Sequence, residues 1–285
     1  MLTFRGFNKI GKKVIMCGQT IGPFYSWRKP VVKCLLEYVT QIIARDPITY
    51  KYLSDGFKLK NVSLAADLAF LPLARESERQ DVKPSGEYFT IVPSELIWKY
   101  AREQDREKYL QVLTNVAAYI LERWSDSKLL ILPHVVTPDI NDDTLAGRDL
   151  FIKLKRRGID STRIIFEQRQ LLPYQARQLL SGSRLVVTGR MHAAISSLES
   201  GVPAVSLSYS RKYWGIIGEY LGMEDYIVDV RNETWDEIEK IVLQQLEKAE
   251  KQYASLSQEI RIKVSAMQKK ASESIRTTAK LLLAK

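Results

Sequence analysis

The sequence predicts an α/β protein, with parallel sheets buried under helices, because short apolar runs alternate with helix-length segments along nearly the whole chain. Two further observations support this. The composition, with 45% apolar, 27% charged and 9% aromatic residues, is that of an ordinary soluble globular protein and excludes a globally disordered or fibrous chain. The length, 285 residues, suits two domains that each bury a core.

Taken in order, the first part offers strands at Lys13–Cys17, Gln41–Ala44 and Asn61–Leu64, with helices over Pro30–Val39 and Ile48–Leu53 and a helix stop at Gly56. The charged stretch Ala74–Gly86, with Pro84 and Gly86 and no apolar period, reads as a linker. Six more strands are expected at Tyr88–Val92, Leu129–Leu132, Arg163–Phe166, Arg184–Thr188, Ala204–Leu207 and Tyr226–Val230. Helices over Asp105–Trp124, Thr144–Arg157, Pro173–Leu180, His192–Ser200 and Lys212–Leu221 fall between them and make a doubly wound domain. The segment Trp235–Lys285 has no Pro or Gly and is expected to be helical, in one or two pieces. Its apolar positions hold no strict heptad, which favours packing on the body over a coiled coil. The expected divisions are therefore a partial N-terminal lobe at 1–75, a linker at 76–86, a C-terminal lobe at 87–234 and a helical tail at 235–285. Three strands rarely form an independent parallel sheet, so the small lobe either borrows an edge from the large one or starts partway into a longer domain.

Forty-three Lys and Arg against 33 Asp and Glu leave a net charge of +10, a surface suited to anions. With only Cys17 and Cys34, and two histidines in all, no disulfide framework or structural metal site is expected, and a reduced cytoplasmic compartment is. No apolar stretch is long enough to span a membrane, so any membrane contact is expected to be peripheral to its inner face. Neither G-x-G-x-x-G, a Walker A motif, H-E-x-x-H nor an Asp-x-Asp pair occurs, so no metal or organic cofactor is expected.

The most informative segment runs from Arg184 through Gly189, Arg190, Met191 and His192 to Gly201 and Tyr209, and reads strand, tight turn, helix, stop, strand. Gly189 is expected to allow the turn. Arg190 and His192 then lie at the carboxyl end of a strand and the first turn of a helix, where open α/β sheets bind ligands and backbone N–H groups favour anions. An Arg supplies a fixed cation there, and a His is the side-chain type suited to moving a proton, with a capping or packing role as the alternative for His192. His134 follows another strand in Leu132-Pro133-His134, where it either faces a ligand or closes a turn. In the first part, Gly18–Phe24 and Ala44–Thr49 are also strand-mouth loops. Asp46 before Pro47 reads as an N-cap, whereas Arg45 has no capping role and is expected to face a ligand, with a surface ion pair as the alternative.

Together GQTIGPF (18–24), ARDPIT (44–49), AADLAFLP (65–72), GRMHA (189–193) and GVPAVSLSYSRK (201–212) resemble the polysaccharide pyruvyl transferase family, in the same order along the chain. The resemblance implies two Rossmann-like lobes of GT-B type, the N-terminal one incomplete, because the strand and Gly-Asp loop that open the family's domain have no match before Lys13. It also implies transfer of pyruvate from phosphoenolpyruvate onto two hydroxyls of a sugar or lipid-linked oligosaccharide acceptor. The family's Arg-x-His matches Arg190-Met191-His192, its Arg-Asp matches Arg45-Asp46, and its Ser-Tyr-x-x-Lys matches Ser208 to Lys212. On that basis His192, Arg190 and Arg45 are the expected catalytic groups, and Lys212, Gln19, Gly189, Met191, His134 and Tyr209 the expected substrate-binding ones. Phosphoenolpyruvate carries about three negative charges, which the cations in this set suit.

Three other readings stay open. Ser197–Pro203 also resembles the Glu-containing region of GT-B glycosyltransferases that use nucleotide sugars, with Glu199 as ribose ligand or as a solvent-facing helix carboxylate. A non-catalytic relative that lacks its first elements is the second. A nucleic-acid-binding or membrane-surface protein is the third; no nucleic-acid motif or continuous basic stripe supports it, and no nucleic-acid partner is expected.

Overall fold

A computed structural model of the chain describes residues 6–7, 10–72 and 83–283. The backbone divides into two units. One comprises Met1–Pro72, Trp214–Gly222 and Lys263–Lys285, the other Leu73–Tyr213 and Met223–Ile262. Membership does not follow chain order, unlike the simple succession of lobes read from the sequence. The expected linker falls outside the described residues over positions 76–82, and positions 83–86 carry no helix or strand.

In the first unit, β1 (Ile15–Gln19), β2 (Gln41–Ala44) and β3 (Val62–Leu64) form a parallel sheet in the order β1-β2-β3. The apolar run of β2 lies centrally. Ile42 packs with Leu36, Val39, Leu53, Phe57 and Leu59 in one buried cluster. Pairing of β1 with β2 slips between Cys17 and Gln19, where Gly18 has φ +65° and supplies the left-handed residue of a bulge. Helix α1 (Arg28–Leu36) connects β1 to β2, and α2 (Pro47–Lys51) begins at Asp46 and opens into a π turn over Tyr52–Gly56. Among the described residues no strand of the other sheet pairs with these three.

The second unit holds six parallel strands: β4 (Tyr88–Val92), β5 (Lys128–Ile131), β6 (Ile164–Phe166), β7 (Val186–Thr188), β8 (Ala204–Ser208) and β9 (Ile227–Asp229). Their order is β6-β5-β4-β7-β8-β9. Every residue of β4, β7 and β8 is buried, as expected where helices cover both faces. The helices are α3 (Ile97–Tyr100), α4 (Arg106–Arg123), α5 (Asp143–Arg156), α6 (Pro173–Ser181) and α7 (Met191–Glu199). From β4 the chain winds outward to β6, then returns to start β7 on the other side of β4. That reversal opens a crevice at the carboxyl ends of β4 and β7.

After β8 the expected helix over Lys212–Leu221 is instead one short turn, α8 (Arg211–Tyr213), followed by a π turn over Trp214–Tyr220. That π turn groups with the first unit. There Gly215 lies so close to Asp46 that a Cβ would meet its Oδ1 at 2.6 Å. Helix α9 (Trp235–Lys251) begins with a capping box in which Thr234 and Glu237 satisfy each other's backbone N–H groups. Helix α10 (Tyr253–Leu283) buries Leu256, Ile260, Val264, Met267 and Ala271 at spacings of three and four, so it has one buried face. No helix among the described residues is long and apolar enough to cross a membrane.

Candidate functional site

The crevice of the second unit is organised by one carboxylate. Arg190 is the N-cap residue of α7, and its backbone N–H donates to Thr188 Oγ1 at 2.9 Å, which closes the turn after β7. Its guanidinium grips Asp143 through Nε–Oδ2 (2.9 Å) and Nη2–Oδ1 (2.6 Å). Asp143 is the first residue of α5, follows the Asp142 cap, and is fully buried. It also accepts the backbone N–H groups of Glu95 (3.1 Å) and Val135 (2.9 Å). A single carboxylate therefore ties the loops after β4, β5 and β7 together. Burial pushes the Asp143 carboxyl up, opposed by Arg190 and the two amides. For Arg190, burial alone favours the neutral form, but the hydrogen bonds and charge of Asp143 outweigh it and raise the pKa. Arg190 Nη1 has no protein partner among the described residues, so a guanidinium with fixed orientation keeps a donor group for a ligand.

Both histidines lie at this crevice. His192 is exposed in the first turn of α7, and His134 is half-buried in the loop after β5. Burial, with the charges of His192 and Arg190 adding to it, lowers the His134 pKa to about 4, which makes its imidazole neutral at pH 7. Beside His134, a cavity of about 320 Å³ is lined by Pro133, His134, Val135, Gln170 and Leu171.

The loop after β8 supplies the other wall. Tyr213 donates from Oη to the carbonyl oxygen of Gly189 at 2.8 Å. Lys212 Nζ lies 3.4 Å from Tyr209 Oη and 5.2 Å from the centre of the Tyr209 ring. Burial raises the Tyr209 pKa against the opposing charge of Arg190. Behind the crevice, buried Glu95 accepts from Arg106 Nη2 (2.6 Å) and Trp98 Nε1 (2.8 Å), and Arg106 also meets Asp149 at 2.9 Å. Tyr109 Oη accepts the backbone N–H of Ser94 at 2.9 Å, which completes the fixation of the loop after β4.

Several sequence expectations need correction. Gly189 has no left-handed φ; it is glycine because a Cβ would meet Ile97 Cγ1 at 2.7 Å and Ser94 Cβ at 2.9 Å. Met191 is buried in the core, since adjacent helical residues point about 100° apart and the exposed neighbour is His192. Glu199 is not solvent-facing: it pairs with Arg177 at 2.5 Å, at the far end of α7 from the crevice. In the first unit, half-buried Arg45 donates from Nε to Thr20 Oγ1 (2.7 Å) and from Nη1 to Asp67 Oδ2 (2.8 Å), contacts that orient its guanidinium much as Asp143 orients that of Arg190. Asp46 is the expected N-cap, accepting from Thr49 N and Thr49 Oγ1, both at 2.8 Å. Gln19 is exposed at the end of β1 and its side chain donates to Cys17 O at 3.2 Å.

Asp143, Glu95, Arg106 and Tyr109 escaped the sequence reading. The only local signal was an Asp pair at a helix start, Asp142-Asp143, whose first member is an ordinary cap.

The fold is similar to solved structures of GT-B type. These include a UDP-forming α,α-trehalose-phosphate synthase from Burkholderia xenovorans (TM-score 0.64, 10% identity, covering 99% of this chain and 71% of that one). The GtfA/B complex gives a TM-score of 0.62 at 13% identity, covering 99% of this chain and 55% of that one. In sequence, the chain is 24% identical over 232 residues to the amylovoran biosynthesis protein AmsJ of Erwinia amylovora, covering 78% of this chain and 55% of AmsJ. The chain thus spans about half the length of the curated relative it matches. Residues 2–211 match the polysaccharide pyruvyl transferase family, in a stretch that holds the Asp143–Arg190 clamp and both histidines, and the chain belongs to that family.

Proposed function

We propose that this protein transfers pyruvate from phosphoenolpyruvate to two hydroxyls of one sugar in a cell-surface polysaccharide or its lipid-linked precursor, forming a pyruvyl ketal. The observation that carries the reading is an oriented guanidinium with a donor to spare, beside one exposed and one neutral imidazole in the switch-point crevice. Arg190 Nη1 and the first N–H groups of α7 bind an anionic group of the donor, and Lys212 adds positive charge. His192 gives a proton to the methylene carbon, which becomes a methyl group while positive charge develops at the central carbon. The first sugar hydroxyl bonds to that carbon and its proton returns to the His192 imidazole; the carbon–oxygen bond to phosphate then breaks, the second hydroxyl closes the ketal, and its proton leaves on the departing phosphate, released as inorganic phosphate. His134, neutral at working pH, accepts a hydrogen bond from an attacking hydroxyl and orients it.

Thermal stabilisation and phosphate release test the reading. Phosphoenolpyruvate is expected to raise the Tm of the purified protein, and phosphate is expected to be released when acceptor glycan is added. His192→Ala is expected to bind the donor and lose turnover. Stabilisation by nucleotide sugars and none by phosphoenolpyruvate would refute the proposal and favour the glycosyltransferase alternative.

A further inference from the structure

Tyr100, at the end of α3, is 55% exposed, and its ring stacks on Tyr209 at 5.1 Å between centroids with 16° between planes. Tyr209 in turn meets Tyr213 edge-on at 6.0 Å. The exposed ring is held from both sides of its chain position. Lys99 Nζ bonds to Ile140 O (2.9 Å) and Asn141 Oδ1 (3.0 Å), and Arg102 N donates to Val230 O at 2.8 Å. Isolated exposed aromatics are common, but one that is stacked, anchored and joined through Tyr209 to the Arg190 neighbourhood has little rotational freedom left to lose on binding.

We propose that the exposed face of Tyr100 is the platform on which the acceptor sugar ring stacks, with Tyr209 as its support; this rests on the pyruvyl-transfer reading above. A pyranose ring presents a face of C–H groups that suits the negative face of an aromatic ring, and its edge hydroxyls stay free for polar partners. A cationic ligand is disfavoured, because Lys212 already lies over the Tyr209 and Tyr213 rings at 5.2 and 5.8 Å. A nucleobase would stack equally well, and the test separates the two.

The experiment is saturation-transfer NMR on the full chain with methyl gluco-, galacto- and mannopyranosides, and with uridine diphosphate as comparison, for the wild type, Tyr100→Ala and Tyr100→Phe. The expected result is saturation of one face of ring C–H protons in at least one sugar, about 3- to 10-fold weaker binding in Tyr100→Ala, and recovery in Tyr100→Phe. Donor binding, read as thermal stabilisation by phosphoenolpyruvate, is expected to be the same in all three proteins. Unchanged sugar binding in Tyr100→Ala, no sugar signal in the wild type, or a Tyr100-dependent signal from uridine diphosphate alone would overturn the inference. Absent stabilisation by phosphoenolpyruvate in the wild type counts against the pyruvyl-transfer reading, separately from the platform.

Discussion

Replacing Asp143 by Asn tests whether one carboxylate organises the crevice. In the wild type it accepts four hydrogen bonds, two of them from Arg190 at 2.6 and 2.9 Å, while fully buried. Asn keeps one acceptor oxygen and turns an amide N–H group toward donors. One charge-assisted bond is lost and at least one backbone N–H loses its partner, while the Arg190 guanidinium stays largely buried without its counter-charge. Breaking a buried pair in this way costs about 3–5 kcal/mol, a large part of the roughly 5–15 kcal/mol that holds a typical domain. Asp149→Asn is the control, because Asp149 also meets an Arg but is 31% exposed; it is expected to cost less than about 1 kcal/mol. Urea unfolding at pH 7, followed by circular dichroism, gives both numbers. A loss under about 1 kcal/mol for Asp143→Asn would show that the three loops hold their places without it and would refute the argument.

Three further outcomes are expected. His134 has a pKa of about 4 in the folded chain against an ordinary value of 6.5, so the unfolded chain takes up the proton first. The stability it contributes is complete above about pH 6.5 and is lost as pH falls toward 4, by at most about 3 kcal/mol; urea midpoints of wild type and His134→Gln that run parallel across this range would contradict it. Gly189→Ala drives a methyl group into Ile97 and Ser94 and is expected to destabilise by about 1–3 kcal/mol and to weaken stabilisation by phosphoenolpyruvate, both read by thermal shift. Gly215→Ala pushes against Asp46, which three hydrogen bonds hold in place, and is expected to lower stability by a similar amount without altering donor binding.

Much of the architecture was legible from local pattern. The strands at Gln41–Ala44 and Tyr88–Val92 fall where the apolar runs place them, and α4 to α7 match their expected spans within a residue or two. Arg190 and His192 were recognisable because a strand, a glycine and a helix start occur together in one short segment. The partner of Arg190 was not, since Asp143 lies 47 positions earlier and nothing nearby distinguishes it from a second capping residue. Tyr100 was equally silent: the stack with Tyr209 joins residues more than a hundred positions apart. The partner of Arg45 was hidden for the same reason, because Asp67 is brought to it only by the pairing of β2 and β3. The π turns at Tyr52–Gly56 and Trp214–Tyr220 look like ordinary helix in sequence, and what distinguishes them is their packing.

The grouping of Lys263–Lys285 with Met1–Pro72 has a consequence for biosynthesis. Helix α10 reaches the first sheet through Thr278 beside Cys17 and through Lys270 and Ser274 beside Ile43 and Ser63. The ribosome makes those covering residues about 190 positions after Pro72, a delay of roughly 10–40 s at ordinary elongation rates. During that interval the nascent β1–β3 segment waits with part of its surface uncovered, and cellular holdases have their opportunity to bind there.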